Sequence, residues 1–386
     1  MHWYADLHLH SKYSLATSPR MDLETMAKSA AKKGLSVLAT GDILHPTWFE
    51  HISNTLQERD GLFGLTPYDV EFILQTEVST IYKKAGKTRK VHHLIFFPSL
   101  CAASSLTRQL SRFGKLHTDG RPTLSLSSKE LLECVLEAKG FLVPAHIWTP
   151  WYGVLGSKSG FNAIQECYEE LSSHIFAVET GLSSDPPMNR RVSFLDCYRL
   201  ISASDAHSSE KMGRKATIFS CTPSFSGIRA SLETGEGLVG TAELFPEAGK
   251  YFLDGHRTCT VSFSPEQAER LHNRCPHCHK PLTQGVLHRV EELADRKRPL
   301  RSHCRYHVPL LDLVVQQLGY TTHSKKAHRL YEELLENIGP ELYILHDAPI
   351  ENMGEYPQLA RALTKIRKGH VRKEAGFDGV YGKIMF

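Results

Sequence analysis

The sequence of 386 residues lacks several features that would place it in a special class of protein. No apolar run approaches the roughly 20 residues that a membrane-spanning helix needs. The N-terminal MHWYADLHLH lacks the basic and apolar regions of a signal peptide. No repeat of fixed period and no low-complexity tract interrupts the chain. These absences argue against a membrane or fibrous protein, and we expect a folded cytoplasmic protein.

Three well-known catalytic motifs are also absent from the sequence. There is no P-loop and no glycine-rich dinucleotide fingerprint, so we expect no nucleotide cofactor. There is no Gly-x-Ser-x-Gly elbow of the kind that esterases use to expose a nucleophilic serine. We therefore expect no catalytic mechanism that depends on a bound nucleotide or on a nucleophilic serine of this kind.

Histidine is the residue type that stands out in the composition. The chain has 22 histidines and nine cysteines, with a formal net charge of +4. Without an export signal, the cysteines are expected to be metal ligands or core residues and not a disulfide framework. Histidine is the commonest side chain that binds transition metals. The charge suits a polyanionic partner without requiring one.

The pattern of apolar residues divides the chain into three parts. Short apolar runs alternate with helical patterns up to about residue 245, which favours an α/β fold with a mostly parallel sheet or barrel. A linker-like segment and a Cys/His-rich segment follow, and the remainder has leucines at helical spacing. We predict an α/β catalytic domain over 1–245, a zinc-binding module over 246–300 and a helical DNA-binding domain over 301–386.

Histidine and carboxylate residues recur at the predicted strand ends of the first part. A single His-x-His pair is weak evidence of metal binding, but six successive strand ends with such residues are improbable by chance. Carboxylates can bridge two cations and offset their charge. Because α/β enzymes assemble sites from the carboxyl ends of strands, we predict a site for two or three cations made from His8, His10, Asp42, His45, Glu77, His92 or His93, His146, Asp205 and His207.

In order and spacing, these residues resemble the motifs of the polymerase and histidinol phosphatase (PHP) family. The resemblance implies a distorted seven-stranded barrel with up to three metals, in which Glu77 is the bridging ligand. It also implies hydrolysis of a phosphate ester, with His8, His10, Glu77 and Asp205 as the catalytic core. The ions could be zinc, manganese, magnesium or iron. The run from Gly41 to His45 departs from the family's Thr-Asp-His motif.

The Cys/His-rich segment contains two short knuckles at a spacing typical of a structural zinc ribbon. The predicted ligands of one zinc ion are His256, Cys259, Cys275 and Cys278, and His277, His279 or His288 could supply the fourth position instead. Four protein ligands would leave no open coordination position, so we expect a structural role. A chance Cys-x-x-Cys with free thiols is the alternative.

Basic and aromatic residues favour a nucleic acid as the substrate over a small metabolite. Three cationic stretches lie in the three parts of the chain, and aromatic residues follow His146 directly. The aromatic residues could stack on a base that has been pulled from a duplex, although packing under the sheet is an alternative. The candidate DNA contacts are Trp148, Trp151, Tyr152, Lys84, Lys87, Arg89, Arg296 and Arg298.

Over essentially its whole length, the chain resembles the endonuclease Q family. The resemblance is carried by the PHP-type motifs, the two knuckles, the run Gly285–Arg296 and the C-terminal run Gly376–Gly382. It implies a DNA repair enzyme that acts on double- or single-stranded DNA with damaged bases. Such an enzyme nicks on the 5′ side of uracil, hypoxanthine, xanthine and abasic sites. A small-molecule phosphatase and a non-catalytic DNA-binding module are the alternative hypotheses.

Overall fold

The computed structural model describes residues 2–386, which form a mixed α/β fold with seventeen strands and thirteen α-helices. The strands are β1 (Trp3–Asp6), β2 (Leu35–Ala39), β3 (Gln57–Arg59), β4 (Leu62–Gly64), β5 (Glu71–Lys84), β6 (Lys87–Phe97), β7 (Thr123–Leu124), β8 (Phe141–Pro144), β9 (Ala177–Glu179), β10 (Arg199–Ile201), β11 (Ala216–Phe219), β12 (Leu238–Leu244), β13 (Asp254–His256), β14 (Val261–Phe263), β15 (Cys304–His307), β16 (Arg372–Glu374) and β17 (Lys383–Met385).

The helices lie between and after these strands. They are α1 (Leu23–Lys33), α2 (Pro46–Thr55), α3 (Leu100–Leu110), α4 (Ser128–Glu137), α5 (Ile164–Tyr168), α6 (Pro186–Asn189), α7 (Phe225–Thr234), α8 (Pro265–Arg270), α9 (Val286–Leu293), α10 (Leu310–Leu318), α11 (Lys325–Asn337), α12 (Glu341–His346) and α13 (Pro357–Arg367). No helix within residues 2–386 is long and apolar enough to span a membrane.

Local sequence explains where the elements begin and end. Helix α1 begins after Asp22, whose carboxylate accepts a hydrogen bond from the Thr25 N–H, and it ends at Gly34 in the left-handed conformation. Strands β5 and β6 form a long hairpin that turns at Ala85 and Gly86.

One large sheet positions the candidate site. Its strand order is β15-β12-β11-β1-β2-β5-β4-β3, and β6 continues from β5 to β8. Strands β1, β2 and β5 run parallel, so their carboxyl ends lie at one edge. Strands β9 and β10 form a separate parallel pair. The mixed α/β fold is confirmed, whereas a closed seven-stranded barrel stays a prediction.

The buried apolar residues form three clusters. The largest packs under the main sheet, and a second joins the C-terminal helices around residues such as Leu313, Leu334 and Leu363. A third, very small cluster contains Ala268, Cys275 and Leu282. Strand β15 pairs with β12 of the main sheet, so the chain returns to this sheet before the C-terminal helices begin. The domain boundaries 1–245, 246–300 and 301–386 stay a prediction.

The structure corrects the sequence-based strand limits at several site residues. Strand β1 ends at Asp6, so His8 and His10 lie beyond it and not on it. Glu77 and His92 lie inside the long strands β5 and β6, where they were expected at a strand end and a strand start. The apolar pattern could not reveal this, because polar residues continue the β5–β6 hairpin beyond the core.

Candidate metal centre

His8 and His10 face the same buried region although the strand has ended. Between them, Leu9 forms a parallel bridge with Ala206, and the His10 N–H donates to the Ala206 carbonyl at 3.2 Å. This bridge keeps the backbone extended, and residues two apart in extended backbone share a face. Both imidazoles are fully buried, with ring centroids 5.3 Å apart.

Glu77 lies at the centre of the candidate site, and its side chain is fully buried. Its Oε2 is 3.6 Å from His8 Nε2 and 3.3 Å from His10 Nε2. Its Oε1 is 2.7 Å from His92 Nδ1 and 3.1 Å from His146 Nε2. Each carboxylate oxygen therefore faces a different pair of imidazoles.

Asp205 and His207 extend the cluster beside His10. Asp205 Oδ1 is 3.3 Å from His10 Nε2 and 3.6 Å from His8 Nε2. The ring of His207 lies 4.4 Å from that of His10. Together with Glu77, these side chains form the groups His8–His10–Glu77, His10–Asp205–His207 and Glu77–His92–His146, whose ligand atoms lie within 4.8 Å of one another in each group.

The donor atoms of this cluster fit divalent cations. His8 Nε2, His10 Nε2 and Asp205 Oδ1 are buried atoms without a hydrogen-bond partner in the described chain, and they converge on one space. A buried polar atom without a partner costs free energy, so native proteins rarely leave several of them together. Imidazole nitrogens and carboxylate oxygens are ligands for zinc, manganese and iron. The convergence therefore fits a metal site.

Opposite charges dominate the electrostatics of the cluster. Burial lowers the pKa of His8, but neighbouring carboxylates, chiefly Glu179, offset this and hold the pKa well above its ordinary value. Burial raises the pKa of Glu77, but nearby imidazoles, chiefly His92, hold that pKa well below its usual range. Burial lowers the pKa of His92 to about 4. The charges are mutually dependent, so the cluster acts as one unit.

Three residues of this region have backbone conformations that L-residues rarely adopt. Asp42 has a φ of 48°, His146 of 29° and Asp205 of 49°. Left-handed backbone at a non-glycine residue costs free energy and concentrates at functional sites. The strain supports the assignment of this region as the functional site.

The structure distinguishes between His92 and His93. The side chain of His92 reaches Glu77, as described above, whereas His93 points to the other side of β6. His93 Nε2 lies 3.0 Å from Thr80 Oγ1, and its Nδ1 lies 2.8 Å from the hydroxyl of Tyr168. Alternation along the strand places only one of the two at the cluster. The geometry favours His92.

Asp42 and His45 lie outside the three groups. Asp42 Oδ2 accepts hydrogen bonds from the N–H and hydroxyl of Ser11 at 2.7 and 2.6 Å, and its Oδ1 is 3.3 Å from His10 Nδ1. His45 stacks on Tyr13, with ring centroids 4.4 Å apart. Asp42 therefore lies beside His10 Nδ1, and the assignment of Asp42 and His45 as metal ligands stays a prediction.

Two residues that contact the cluster were missed from the sequence. Glu179 ends β9, where its Oε1 accepts from His8 Nδ1 at 3.0 Å and its Oε2 accepts from the His146 N–H at 2.7 Å. Its place at a strand end was the available signal. Arg121 Nη1 lies 3.2 Å from Glu77 Oε2. Arg121 lies in a loop, and no sequence pattern distinguished it from the other arginines.

The two cysteine knuckles meet in a second cluster. Ligand atoms of His256, Cys259, Cys275 and Cys278 all lie within 4.8 Å of one another. His277 and His279 are outside this group, and His288 Nδ1 instead pairs with Asp254 Oδ2 at 2.6 Å. The geometry favours His256 as the fourth ligand.

The aromatic residues after His146 have different environments. Trp148 is only 1% exposed, and its indole N–H donates to Asn189 Oδ1 at 2.8 Å. It is therefore a core residue and, contrary to the expectation, is not accessible to a base. Trp151 is 37% exposed. The Tyr152 ring lies 4.2 Å from that of His92, so Tyr152 is beside the cluster, whereas the ring of Trp151 lies 5.7 Å from that of Tyr251.

Of the lysines and arginines predicted to contact DNA, some already have partners within the protein and others do not. Lys84 pairs with Glu169 at 2.6 Å, and Arg296 pairs with Asp196 at 2.6 Å. The guanidinium of Arg89 covers the Phe161 ring at 4.1 Å from its centroid. These three cations therefore already have partners within the protein.

Lys87 and Arg298 are exposed, and the described chain gives neither of them an ion pair. These two are the predicted cations that are available to a polyanion.

A cleft of about 1200 Å³ lies between α1, the turn after His207 and the C-terminal helices. Its lining includes Ser209 and Glu210, which follow His207 in the sequence, and none of the side chains of the metal cluster. Lysine and arginine side chains outnumber carboxylates in its lining. Arg20, Lys28 and Lys32 have ion pairs with Glu210, Glu24 and Glu332, whereas Lys211 and Lys383 have no ion pair within residues 2–386. This cleft was not predicted, because its cations come from separate parts of the chain.

Two solved structures match the whole chain. One is the lesion-specific endonuclease PfuEndoQ from Pyrococcus furiosus, with a TM-score of 0.90, 30% sequence identity and coverage of 100% of this chain and 96% of that one. The other is endonuclease Q in complex with a 27-mer duplex that has an abasic lesion at the active site, with a TM-score of 0.90, 30% identity and 97% of that chain covered. The chain belongs to the endonuclease Q family. It is therefore a member of a nuclease family.

The sequence comparisons agree with this family membership. Residues 309–370 match the model of the MJ0043 C-terminal domain. The uncharacterised protein MJ0043 of Methanocaldococcus jannaschii is 30% identical to this chain in the matched segment. That segment covers 62% of this chain and 31% of MJ0043. The uncharacterised protein YqxK of Bacillus subtilis is 27% identical over 99% of this chain and 98% of its own length.

Proposed function

We propose that this chain is a metal-dependent DNA repair endonuclease. In this proposal it hydrolyses the phosphodiester on the 5′ side of deaminated bases, namely uracil, hypoxanthine and xanthine, and of abasic sites. The observation that supports this most directly is the whole-chain match to endonuclease Q, one structure of which contains an abasic lesion at the active site. The buried His/Asp/Glu cluster supports the metal dependence.

In this proposal, two or three divalent cations are held by the side chains of the cluster. Glu77 would offer both of its carboxylate oxygens as ligands, because they face different imidazole pairs. The remaining ligands are His8, His10, His92, His146, Asp205 and His207. Bound cations of this kind lower the pKa of a coordinated water and stabilise the oxygens of a phosphoryl group.

The other residues of the site orient the ligands. Glu179 accepts from His8 Nδ1, which directs His8 Nε2 into the cluster. Asp42 lies close to His10 Nδ1 and has the same effect on that ring. Hydrogen bonds to the second nitrogen of a ligand histidine fix its orientation and basicity.

The DNA is proposed to lie over the metal cluster and along the cationic cleft. Counter-ion release from phosphates gives such a surface its affinity, largely without sequence preference. Trp151, which is 37% exposed, and Tyr152, which lies beside His92, are the aromatic residues proposed to contact an extruded nucleotide. Unstacking costs least at a damaged or mispaired base, which favours lesions. The Cys/His cluster is proposed to hold one structural zinc ion.

A nicking panel tests the proposal. Purified protein is incubated with end-labelled duplexes that contain uracil, hypoxanthine, xanthine or an abasic site, with and without added Mg²⁺, Mn²⁺ or Zn²⁺. We expect a single nick on the 5′ side of each lesion and none in the undamaged duplex. Turnover of a phosphomonoester without nicking would instead support the small-molecule phosphatase. DNA binding by protein with an empty main cluster would support the non-catalytic module.

A further inference from the structure

Arg121 lies at the mouth of the metal cluster in a tightly anchored loop. Asp119 Oδ1 accepts from the N–H of Arg121 and from the N–H of Leu15, both at 3.1 Å. The Gly120 N–H donates to the Tyr13 carbonyl at 2.9 Å. A Cβ on Gly120 would collide with the carboxylate of Asp42, so the loop packs directly against the site. The backbone that leads into Arg121 is therefore held in place by these contacts.

The guanidinium of Arg121 lies between a buried carboxylate and the solvent. Its Nη1 is 3.2 Å from Glu77 Oε2, the oxygen that also faces His8 and His10. The Arg121 side chain is 27% exposed, whereas that of Glu77 is fully buried. A guanidinium has five N–H donors, and within residues 2–386 this side chain makes one hydrogen bond, to Glu77. Most of its donors are available to a ligand.

We infer that Arg121 is a phosphate-binding catalytic residue, which contacts a non-bridging oxygen of the phosphodiester to be cleaved. This inference rests on the proposed function. The Glu77 carboxylate and the His8 and His10 imidazoles are buried, whereas Arg121 is 27% exposed and Asp205 and His207 are each 28% exposed, so a phosphate would reach the cluster where these three side chains meet the solvent. The planar guanidinium matches two phosphate oxygens, which an ammonium group does not. Charge that develops on these oxygens during hydrolysis would be stabilised by a donor already in place.

The competing explanation is that Arg121 only offsets the charge of Glu77. The two explanations differ in what happens to the metal content. A residue that supports Glu77 alone would, when removed, weaken the metal site and reduce activity in proportion to metal loss. A residue that contacts the phosphate would leave the metal content unchanged and reduce affinity for the anion.

The test compares Arg121→Ala and Arg121→Lys with wild type and with Lys115→Ala, which removes an exposed cation from the same loop. Elemental analysis gives the metal content, and calorimetry gives the affinity of metal-loaded protein for inorganic phosphate. We expect unchanged metal content and a loss of phosphate affinity of about 10- to 100-fold in Arg121→Ala. Arg121→Lys should recover part of it, and Lys115→Ala should match wild type.

Nicking kinetics complete the experiment and distinguish a failure of the role of Arg121 from a failure of the proposed DNA substrate. With uracil-containing duplex, we expect kcat of Arg121→Ala to fall about 10²- to 10³-fold, with partial rescue by added guanidinium. Unchanged phosphate affinity, or metal loss that accounts for the lower rate, would overturn the role of Arg121. If wild type binds phosphate through Arg121 but nicks no lesion duplex, the proposed substrate is wrong while the anion-binding role stands.

Discussion

The two metal-type clusters of this molecule are built in opposite ways. The ligands of the main cluster come from residues between His8 and His207, on separate strands and loops. The Cys/His cluster comes from His256 to Cys278, within one short segment. The first cluster depends on the whole sheet being folded, whereas the second is specified by local sequence.

The two clusters also differ in the size of the apolar core that surrounds them. The main cluster lies beside the largest apolar core. The buried apolar residues near the Cys/His cluster are Ala268, Cys275 and Leu282. A core of three residues is too small to stabilise a fold. We therefore expect the ions of the main cluster to matter for chemistry, and the ion of the Cys/His cluster to matter for folding.

The largest effect is expected from Asp205→Ala. The substitution removes a carboxylate that faces His8 and His10, so nicking of uracil-containing duplex should fall to the detection limit. The main core is untouched, so the circular dichroism spectrum should match that of wild type. Glu133→Ala removes an exposed carboxylate on α4 and is the control. Equal nicking by Asp205→Ala and wild type would refute the assigned site.

Cys275→Ser should affect folding where Asp205→Ala affects chemistry. Loss of one thiolate weakens zinc binding, and zinc binding supplies much of the folding free energy of such modules. Elemental analysis should show one zinc fewer, and hydrogen exchange should accelerate around residues 254–283. The metal content of the main cluster should not change. Cys101→Ser, on the exposed surface of α3, should behave as wild type; unchanged hydrogen exchange in Cys275→Ser would contradict a structural zinc.

Trp148 and Trp151 extend the comparison to the aromatic residues beside the main cluster. Trp148→Ala should lower the free energy of unfolding by about 3–5 kcal/mol, because it creates a cavity in the core. Trp151→Ala should change stability by about 0.5 kcal/mol or less, but should weaken binding of lesion-containing DNA. Chemical denaturation and fluorescence anisotropy measure the two effects. The opposite pattern would place Trp148, and not Trp151, at the DNA.

A site was easier to predict from the sequence when its residues lie close together along the chain. The Cys/His cluster was predictable because its spacing alone brings the ligands together. The main cluster was predictable as a set because each member follows or lies in an apolar strand, and the resemblance to a known family supported it. The role of Asp42 behind His10, and the choice of His92 over His93, depend on side-chain direction and required coordinates.

Other features left no signal in the sequence. In the sequence, nothing distinguishes Arg121 from the other arginines, because only the folded loop brings it to the site. The cations of the cleft come from α1, residue 211 and the C-terminal strand β17, which are far apart along the chain. Trp148 was misassigned because a tryptophan beside a site residue is equally consistent with stacking and with packing. Its partner Asn189 lies 41 residues away, and only the fold brings the two together.

The smallest effect is expected from Glu179→Gln, which alters how the main cluster is oriented and leaves its ligands in place. Glu179 Oε2 lies 2.7 Å from the His146 N and 3.1 Å from His8 Nδ1, and Oε1 lies 3.0 Å from His8 Nδ1. In glutamine an NH₂ group replaces one of these oxygens, so a donor would face a donor and the negative charge beside His8 would be lost. Loss of such a partner typically costs about 10- to 100-fold in metal affinity or activity. Metal titration and nicking rates should both show this loss, with Glu137→Gln on exposed α4 as the control. If Glu179→Gln bound metal with the affinity of wild type, the sheet alone would orient His8. The main cluster would then keep its geometry without supporting hydrogen bonds, in contrast to the Cys/His cluster, whose fold is expected to depend on its zinc ion.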